Sequence, residues 1–130
     1  MSVRICDLVA SFVLKNCVDK VFMVSGGGLL YLTDGLRSCQ GLDVVCCHHE
    51  QAASMAAVGY AKYEGIGCAY VTTGCGGTNA VTGVLHAWQD SVPCIFISGQ
   101  CKRKETIRYR KLKIRQLGVQ EADLVTIVES

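Results

Sequence analysis

Apolar residues recur along most of the chain in alternating helical and strand-like periods. From Ser2 to Asn16 they are spaced by three and four residues, which predicts a helix that packs through that face. The residues of that face are Ile5, Leu8, Val9, Phe12 and Val13. Short, continuous apolar runs follow, and each is bounded by turn residues, as is typical of buried strands. The predicted strands are Lys20 to Val24, Leu42 to Cys47, Cys68 to Thr72 and Cys94 to Ser98.

Helical stretches separate these predicted strands. Leu29 to Arg37, the alanine-rich run Glu50 to Glu64 and Thr78 to Trp88 each have helical periodicity. Residues 99–118 have weak periodicity and are expected to cross the surface without regular structure. Continuous apolar strands alternating with helices predict an α/β fold, with a parallel sheet covered by helices on both faces in three layers.

In such sheets ligands bind at the carboxyl ends of the strands, so we expect function to lie in the turns at that edge. These turns are Ser25 to Gly28, His48 to Gln51, Thr73 to Asn79, and Gly99-Gln100. A dinucleotide site is excluded, because Tyr31 and Asn79 stand where each glycine turn would need its third glycine. No Gly-Lys-Ser/Thr follows either turn, which also excludes a P-loop.

Glu50 is a lone carboxylate that opens a predicted helix directly after a buried strand. It is a candidate for chemistry, since this edge of the sheet is where ligands bind. A carboxylate in the first turn of a helix also gains roughly 0.3 to 1 kcal/mol from the helix dipole, so a purely structural role is equally open. Position alone leaves both interpretations standing.

Composition favours a single cytoplasmic domain. The chain has 130 residues, half of them apolar, and neither a secretory signal nor a long apolar run is present. Its nine cysteines are odd in number, lack a Cys-x-x-Cys spacing and sit largely in apolar runs, so we expect reduced thiols rather than disulfides. The run Cys46-Cys47-His48-His49 lacks the ligand spacing of a zinc module, and no metal site is predicted.

Positive charge is concentrated in one segment. Residues 102–115 contain eight basic residues and one acidic residue, for a net +7, while the chain as a whole carries +2. Such a run can hold nucleic acid or an acidic surface, or form a solvated or interdomain face. No aromatic residue beyond Tyr109 is interleaved to stack on bases, so nucleic acid is not expected as a partner. A membrane is not expected either, because no apolar run is long enough to cross one.

Six sequence blocks occur in the order and spacing of a known domain. They are Val-Phe-Met-Val-Ser-Gly-Gly-Gly at 21–28, His-Glu-Gln-Ala-Ala at 49–53, Thr-Thr-Gly-Cys-Gly-Gly-Thr-Asn at 72–79, Asp-Ser-Val-Pro at 90–93, Ser-Gly-Gln at 98–100 and Val-Gln-Glu at 119–121. Together they resemble the N-terminal pyrimidine-binding domain of the acetolactate synthase branch of thiamine diphosphate-dependent enzymes. The resemblance covers nearly the whole chain and implies a flavodoxin-like topology.

The resemblance assigns a catalytic role to Glu50. In that family the matching glutamate shares a proton with N1′ of the aminopyrimidine, which favours the tautomer that deprotonates C2 of the cofactor. The deprotonated cofactor then decarboxylates a 2-keto acid such as pyruvate, and carboligation follows. Glu50 is then expected in an apolar pocket that favours its protonated form. His49 is expected to hold the turn before Glu50. The implied cofactor-binding residues are Gly26, Gly27, Glu50, Thr73, Gly76 and Asn79, and Gln120 matches a glutamine near the substrate channel.

The resemblance also implies partners. The family binds the diphosphate and Mg²⁺ through a domain with a Gly-Asp-Gly motif that this chain lacks, so such a domain is expected in cis or in trans. The chain is therefore expected to be a fragment of a longer enzyme, inactive alone, and FAD in the complete enzyme is left open. A homodimer or higher homo-oligomer is expected, through the helices that begin at Glu50 and Thr78. The small residues that would permit close approach there are Ala56, Ala57, Gly59, Gly83 and Ala87.

Two departures from the family pattern loosen turns without removing chemistry. Ser25 stands where the family usually has proline, and Cys75 stands where Gly-Pro-Gly is usual. Three alternatives to a catalytic domain remain: a non-catalytic interaction module with the same fold, the small subunit of a split 2-keto acid decarboxylase, and a nucleotide or nucleic-acid binder. The presence of Glu50 favours the enzyme over the module, because a site without chemistry has no need of a costly, partly buried carboxylate.

Overall fold

The computed structural model describes residues 3–16 and 18–129, and four strands form one parallel sheet in the order β2-β1-β3-β4. The strands are β1 Lys20–Met23, β2 Asp43–Cys46, β3 Gly67–Val71 and β4 Cys94–Ser98. β1 and β3 are central, and β3 is buried along its whole length. The predicted parallel sheet and all four of its strands are thereby confirmed.

Helices cover both faces of this sheet. They are α1 Ile5–Lys15, α2 Leu30–Ser38, α3 Glu50–Glu64, α4 Cys75–Asn79, α5 Val81–Gln89, α6 Ile107–Arg110 and α7 Leu124–Glu129, with 3₁₀ turns at Gly27–Leu29 and Arg103–Glu105. Val21 and Met23 of β1 belong to a core shared with α1 and α2, whereas the ring of Phe22 meets Tyr60 of α3 edge to face at 5.8 Å. Because successive strand residues point to opposite faces, α1 and α2 lie on one side and α3 on the other. The three-layer α/β fold is confirmed.

The face through which α1 packs differs from the predicted one. Val13 is fully buried as expected, but Ile5, Leu8 and Phe12 are 77%, 55% and 58% exposed. The buried residues of α1 are Cys6, Ala10 and Val13. An added Cβ on Gly35 of α2 would lie 2.5 Å from the carbonyl oxygen of Cys6, so the two helix backbones touch. This close approach selects small residues for the contact and turns the larger apolar ones outward, which periodicity alone does not reveal.

The segment after β3 also differs from its prediction. The expected loop Thr73 to Gly77 already contains the start of α4, and the expected helix Thr78 to Trp88 is broken at Ala80 into α4 and α5. Residues 99–118 were expected to lack regular structure, and this is only partly correct, since the 3₁₀ turn Arg103–Glu105 and the four-residue α6 lie inside this segment.

Three of the small residues that were expected to serve self-association are used inside the chain. Ala57, Gly83 and Ala87 are buried, and a Cβ on Gly83 would lie 2.3 Å from Oγ of Ser54 on α3. The close approach at Gly83 lets α5 pack against α3, so this glycine is not free to meet a second copy. On the outer side of α5, Leu85 and Trp88 are 51% and 82% exposed.

The eight cysteines in the described part of the chain are all free, and Cys17 lies outside it. Cys68 is fully buried in β3, and burial raises the pKa of its thiol to about 12. It therefore behaves as a small core residue, as predicted. Within residues 3–16 and 18–129, no group of side chains is arranged to hold a metal ion, and no helix is long and apolar enough to span a membrane.

Candidate active site

The turns that follow the four parallel strands meet at the carboxyl edge of the sheet. The turn after β4 lies against the turn after β1, since a Cβ added to Gly99 would lie 2.3 Å from the carbonyl oxygen of Gly28. Gly99 is buried in this contact. Residues from opposite ends of the chain are thus brought together where ligands of such sheets bind.

Glu50 is the first residue of α3 and is partly buried at this edge. His49 is the N-cap, with Nδ1 accepting a hydrogen bond from the backbone N–H of Gln51 at 3.1 Å. The capping role is therefore filled by His49, which holds the turn as predicted. The side chain of Glu50 instead reaches across to α4, where Nδ2 of Asn79 donates to its Oε2 at 3.0 Å.

Gly76 of α4 lies close to the other oxygen of Glu50. A Cβ added to Gly76 would lie 3.4 Å from Oε1 of Glu50 and 2.8 Å from Cγ2 of Thr72. A Cβ here would be too close to Thr72 at the end of β3 but would make only an ordinary contact with the carboxylate, so it is Thr72 that requires glycine at this position. Glycine here keeps backbone, rather than a side chain, beside the acid.

The glycine turn after β1 packs against the threonines that follow β3. A Cβ on Gly26 would lie within 2.7 Å of three side-chain atoms of Thr72, and one on Gly28 would lie 1.8 Å from Oγ1 of Thr73. Thr73 is only 3% exposed, so its side chain is enclosed by this contact. Gly26 is thus packed against Thr72 and Gly28 against Thr73, whereas a Cβ on Gly27 would meet nothing within 4 Å. Gly27 is the exposed, open position of the turn.

Gln120 reaches the same edge through its backbone. Its carbonyl oxygen would lie 1.6 Å from a Cβ on Gly74, which has the left-handed φ of 55° at the start of the turn after β3. Gln120 itself has a φ of 52° and is exposed. The structure thus places all seven residues of the predicted site at one edge, with Glu50, Gly76 and Asn79 in one group and Gln120 at the neighbouring turn.

Thr72 is the residue at this edge that the sequence interpretation did not select. It lies between Gly26 and Gly76, and its carbonyl oxygen accepts a hydrogen bond from Oγ of Ser98 at 3.1 Å. The available signal was its place as the last residue of a predicted strand, directly before the glycine-rich turn. A cavity of about 410 Å³ lies beside this region, between α5, β4 and α7, and Gly77, Ser98 and Gly99 line its end at the edge. Glu50 is not among the residues that line it.

The sequence profile of the family described as "Thiamine pyrophosphate enzyme, N-terminal TPP binding domain" matches residues 3–127. Among curated proteins, the chain is similar to the acetolactate synthase large subunit of Haemophilus influenzae, with 42% identity over 95 residues, which are 72% of this chain and 17% of that protein.

Two further relatives are also large subunits of acetolactate synthases. The acetolactate synthase large subunit of Lactococcus lactis subsp. lactis is 40% identical over 111 residues, 85% of this chain and 18% of that protein. The acetolactate synthase isozyme 3 large subunit of Escherichia coli is 40% identical over 95 residues, 72% of this chain and 17% of that protein. The chain thus spans less than a fifth of the length of these relatives. It belongs to the thiamine pyrophosphate enzyme family, within the N-terminal TPP binding domain of that family.

Proposed function

We propose that this chain is the pyrimidine-binding part of an acetolactate synthase-like enzyme, in which Glu50 activates thiamine diphosphate for decarboxylation and carboligation of 2-keto acids. One observation carries the proposal: the carboxylate of Glu50 is not engaged in capping its own helix but is directed by Asn79 into the edge of the sheet. The family membership and the similarity to acetolactate synthase large subunits support it.

The residues at this edge fit an aminopyrimidine ring. Glu50 offers a carboxyl group to a ring nitrogen, and Gly76 leaves the space beside Oε1 free of a side chain. Gly27 offers open backbone on the neighbouring turn. Thiamine diphosphate, when bound, supplies a carbon that adds to the keto group and accepts the electron pair released by decarboxylation. In this arrangement Glu50 holds and returns a proton at N1′, and Asn79 keeps its carboxylate oriented.

Two of the predicted residues support the site from behind. Gly26 and Thr73 are packed against their neighbours, so they set the separation of the two turns. Gln120 lies at the outer side, where a substrate would approach the turn at Gly74. Glu50 is only partly buried in this chain, so we propose that a second protein surface completes its enclosure.

The complete enzyme needs more than this chain. We propose that a diphosphate-binding domain, in cis or in trans, holds the diphosphate and Mg²⁺, that pyruvate is a substrate and that two subunits associate. FAD is a further cofactor that we propose for the complete enzyme and not for this chain. The isolated chain is then expected to bind thiamine diphosphate more weakly than about 1 μM, roughly −8 kcal/mol, as isothermal titration calorimetry would measure.

The decisive experiment is Glu50→Gln in a complete enzyme that carries this domain. Glutamine keeps the size and the hydrogen bond but cannot share a proton with N1′. Proton exchange at C2 of the bound cofactor, followed by NMR in deuterium oxide, should slow by about a hundredfold to ten-thousandfold. Cofactor affinity should fall much less, because the diphosphate and its metal supply most of the binding. An unchanged exchange rate would overturn the role of Glu50.

A matched control is Glu64→Gln at the opposite end of the same helix. Glu64 is an exposed acid of α3, far along the helix from the carboxyl edge of the sheet. This variant should leave C2 exchange unchanged. Equal slowing in both variants would show an effect of charge or of helix stability instead of proton transfer.

A further inference from the structure

Residues 102–115, called the basic loop below, form an exposed and strongly cationic surface. The eight basic side chains are all exposed. They are Lys102, Arg103, Lys104, Arg108, Arg110, Lys111, Lys113 and Arg115. With a net +7 in the loop and +2 in the whole chain, the remainder of the protein is acidic, so the positive charge is a local property of this loop.

Both ends of the basic loop are fixed at the carboxyl edge of the sheet. On the entering side Gly99 lies against the backbone of Gly28, and on the returning side the carbonyl of Gln120 lies against Gly74. The side-chain amide of Gln100 donates to the carbonyl oxygen of Ala122 at 2.9 Å and ties the two sides together. Both ends of the loop therefore lie at the edge of the sheet that carries Glu50.

The acids near the loop neutralise little of its charge. Glu121 turns its carboxylate to backbone groups: Oε1 accepts from the N–H of Ile107 at 2.6 Å, and Oε2 accepts from those of Leu117 and Gly118 at 3.1 and 3.2 Å. Ion pairs in the described part of the chain engage two of the eight cations, Lys102 with Glu105 and Arg108 with Asp123, each at 3.5 Å. Most of the loop's charge is consequently available to an external anion.

One face of the only aromatic ring in the loop is occupied by a neighbouring arginine. The guanidinium of Arg103 lies over the ring of Tyr109, 5.3 Å from its centroid. Proteins that bind single-stranded nucleic acid combine a cationic groove with several aromatic faces on which bases stack. The loop has the charge and lacks the stacking platforms, which favours a compact anion over a nucleic acid.

We propose that the basic loop binds the phosphoryl group of a substrate that reacts at the neighbouring cofactor site. This inference rests on the proposed function and names the class of its second substrate: an acceptor for the carboligation that bears a phosphoryl group. A simple 2-keto acid has one negative charge, whereas a phosphoryl monoester carries about −1.5 to −2 and offers three strong acceptor oxygens. Lysine and arginine donors match those oxygens with charge-assisted hydrogen bonds.

The test is a titration of the chain with inorganic phosphate at low ionic strength, followed by ¹H–¹⁵N NMR, with acetate as a singly charged probe at equal ionic strength. Phosphate should shift the amides of residues 102–115 saturably, and acetate should shift them much less. Lys104→Glu combined with Lys113→Glu should weaken phosphate binding about tenfold. The matched control, Lys15→Glu combined with Arg37→Glu, makes the same change in net charge on α1 and α2 and should leave it unchanged.

Three results would overturn the proposal. One is the absence of a saturable phosphate-induced shift of these amides, or an equal weakening of phosphate binding in both double variants. Circular dichroism must show that the fold of each sample is intact. Another is tighter binding to phosphatidylserine vesicles or to a single-stranded oligonucleotide than to phosphate. The third is a loss of thiamine diphosphate affinity in the Lys104→Glu, Lys113→Glu variant that is as large as its loss of phosphate affinity, since the loop would then bind the cofactor. Because the phosphate titration needs neither cofactor nor turnover, its failure leaves Glu50 untouched, and Glu50→Gln should leave phosphate binding unchanged.

Discussion

The side-chain amide of Asn79, at the end of α4, donates a 3.0 Å hydrogen bond to Oε2 of Glu50, the first residue of α3. The two residues stand 29 positions apart in the sequence and follow different strands of the sheet. The bond orients the carboxylate, while His49 satisfies the backbone at the start of α3. Asn79 is therefore the residue through which the proposed chemistry of Glu50 can be tested without altering the carboxylate.

Asn79→Ala in an enzyme that carries this domain should lower kcat about tenfold, or roughly 1.4 kcal/mol, because the carboxylate loses the donor that orients it. KM and thiamine diphosphate affinity should change less, since Asn79 is not expected to supply most of the binding. Steady-state kinetics and C2 exchange measure both effects. Thr78→Ala is the control, because Oγ1 of Thr78 donates to the carbonyl of Cys75 within the same short helix. An unchanged kcat in Asn79→Ala would remove the positioning role.

Two glycines of the packed helices α3 and α5 should respond to alanine with opposite signs. Gly59→Ala should raise the free energy of unfolding by about 0.5 to 1 kcal/mol, since alanine favours a helix and its Cβ would meet nothing within 4 Å. Gly83→Ala should lower it by about 1 to 3 kcal/mol, because its Cβ would lie 2.3 Å from Oγ of Ser54. Urea denaturation measures both, and an increase in stability in both variants would contradict the α3–α5 contact.

Two tyrosines should likewise differ on loss of their hydroxyl groups. Tyr70 is fully buried, and its hydroxyl has no hydrogen-bond partner within residues 3–16 and 18–129. Tyr70→Phe should therefore raise the free energy of unfolding by about 1 kcal/mol. The hydroxyl of Tyr60 donates to Asp19, and this hydrogen bond is the largest cause that raises its pKa to about 12. Tyr60→Phe should lower the free energy of unfolding by about 1 kcal/mol. Chemical denaturation measures both changes, and a lower free energy of unfolding in both variants would contradict the finding that the hydroxyl of Tyr70 has no hydrogen-bond partner.

Glu121 should hold the backbone of Ile107, at the start of α6, next to that of Leu117 and Gly118 in a pH-dependent way. Burial acts to raise the pKa of this carboxyl group, but the backbone N–H groups of Leu117, Ile107 and Gly118 outweigh it and hold the pKa below its ordinary value of 4.5. A lowered carboxyl pKa gives stabilisation that is complete above 4.5 and is lost as the pH falls through the lower, folded value. The NMR shifts of these three amides should therefore be constant at neutral pH and move together below pH 4.5.

Glu121→Gln should shift the same three amides already at neutral pH, since glutamine cannot offer two charged oxygens to three donors. Glu105→Gln is the control in the same loop, because its carboxylate pairs with the side chain of Lys102 at 3.5 Å. It should leave the three amides in place. A titration of these amides that persists unchanged in Glu121→Gln would show that another group controls the loop.

The local elements, and the edge of the sheet at which the candidate site residues lie, could be predicted from the sequence. The spans Glu50–Glu64 for α3 and Cys94–Ser98 for β4 coincide with their predictions, because apolar runs and turn residues mark the ends of elements within a few residues of chain. Parallel strands place their carboxyl ends at one edge, so the turns that contain Glu50, Gly76 and Asn79 had to meet there. The order of the motifs then indicated the family to which the chain belongs.

The partner of each side chain was decided only by tertiary packing. Sequence periodicity could not show that Cys6 and Gly35 would bring two helix backbones into contact and leave Phe12 outside. Nor could it show that the side chain of Thr72 requires glycine at position 26, or that Gly83 packs against α3. The hydrogen bond from Asn79 to Glu50 was equally hidden. Local pattern fixes the period and the ends of an element, whereas its rotation and its contacts depend on the volumes of side chains far away along the chain.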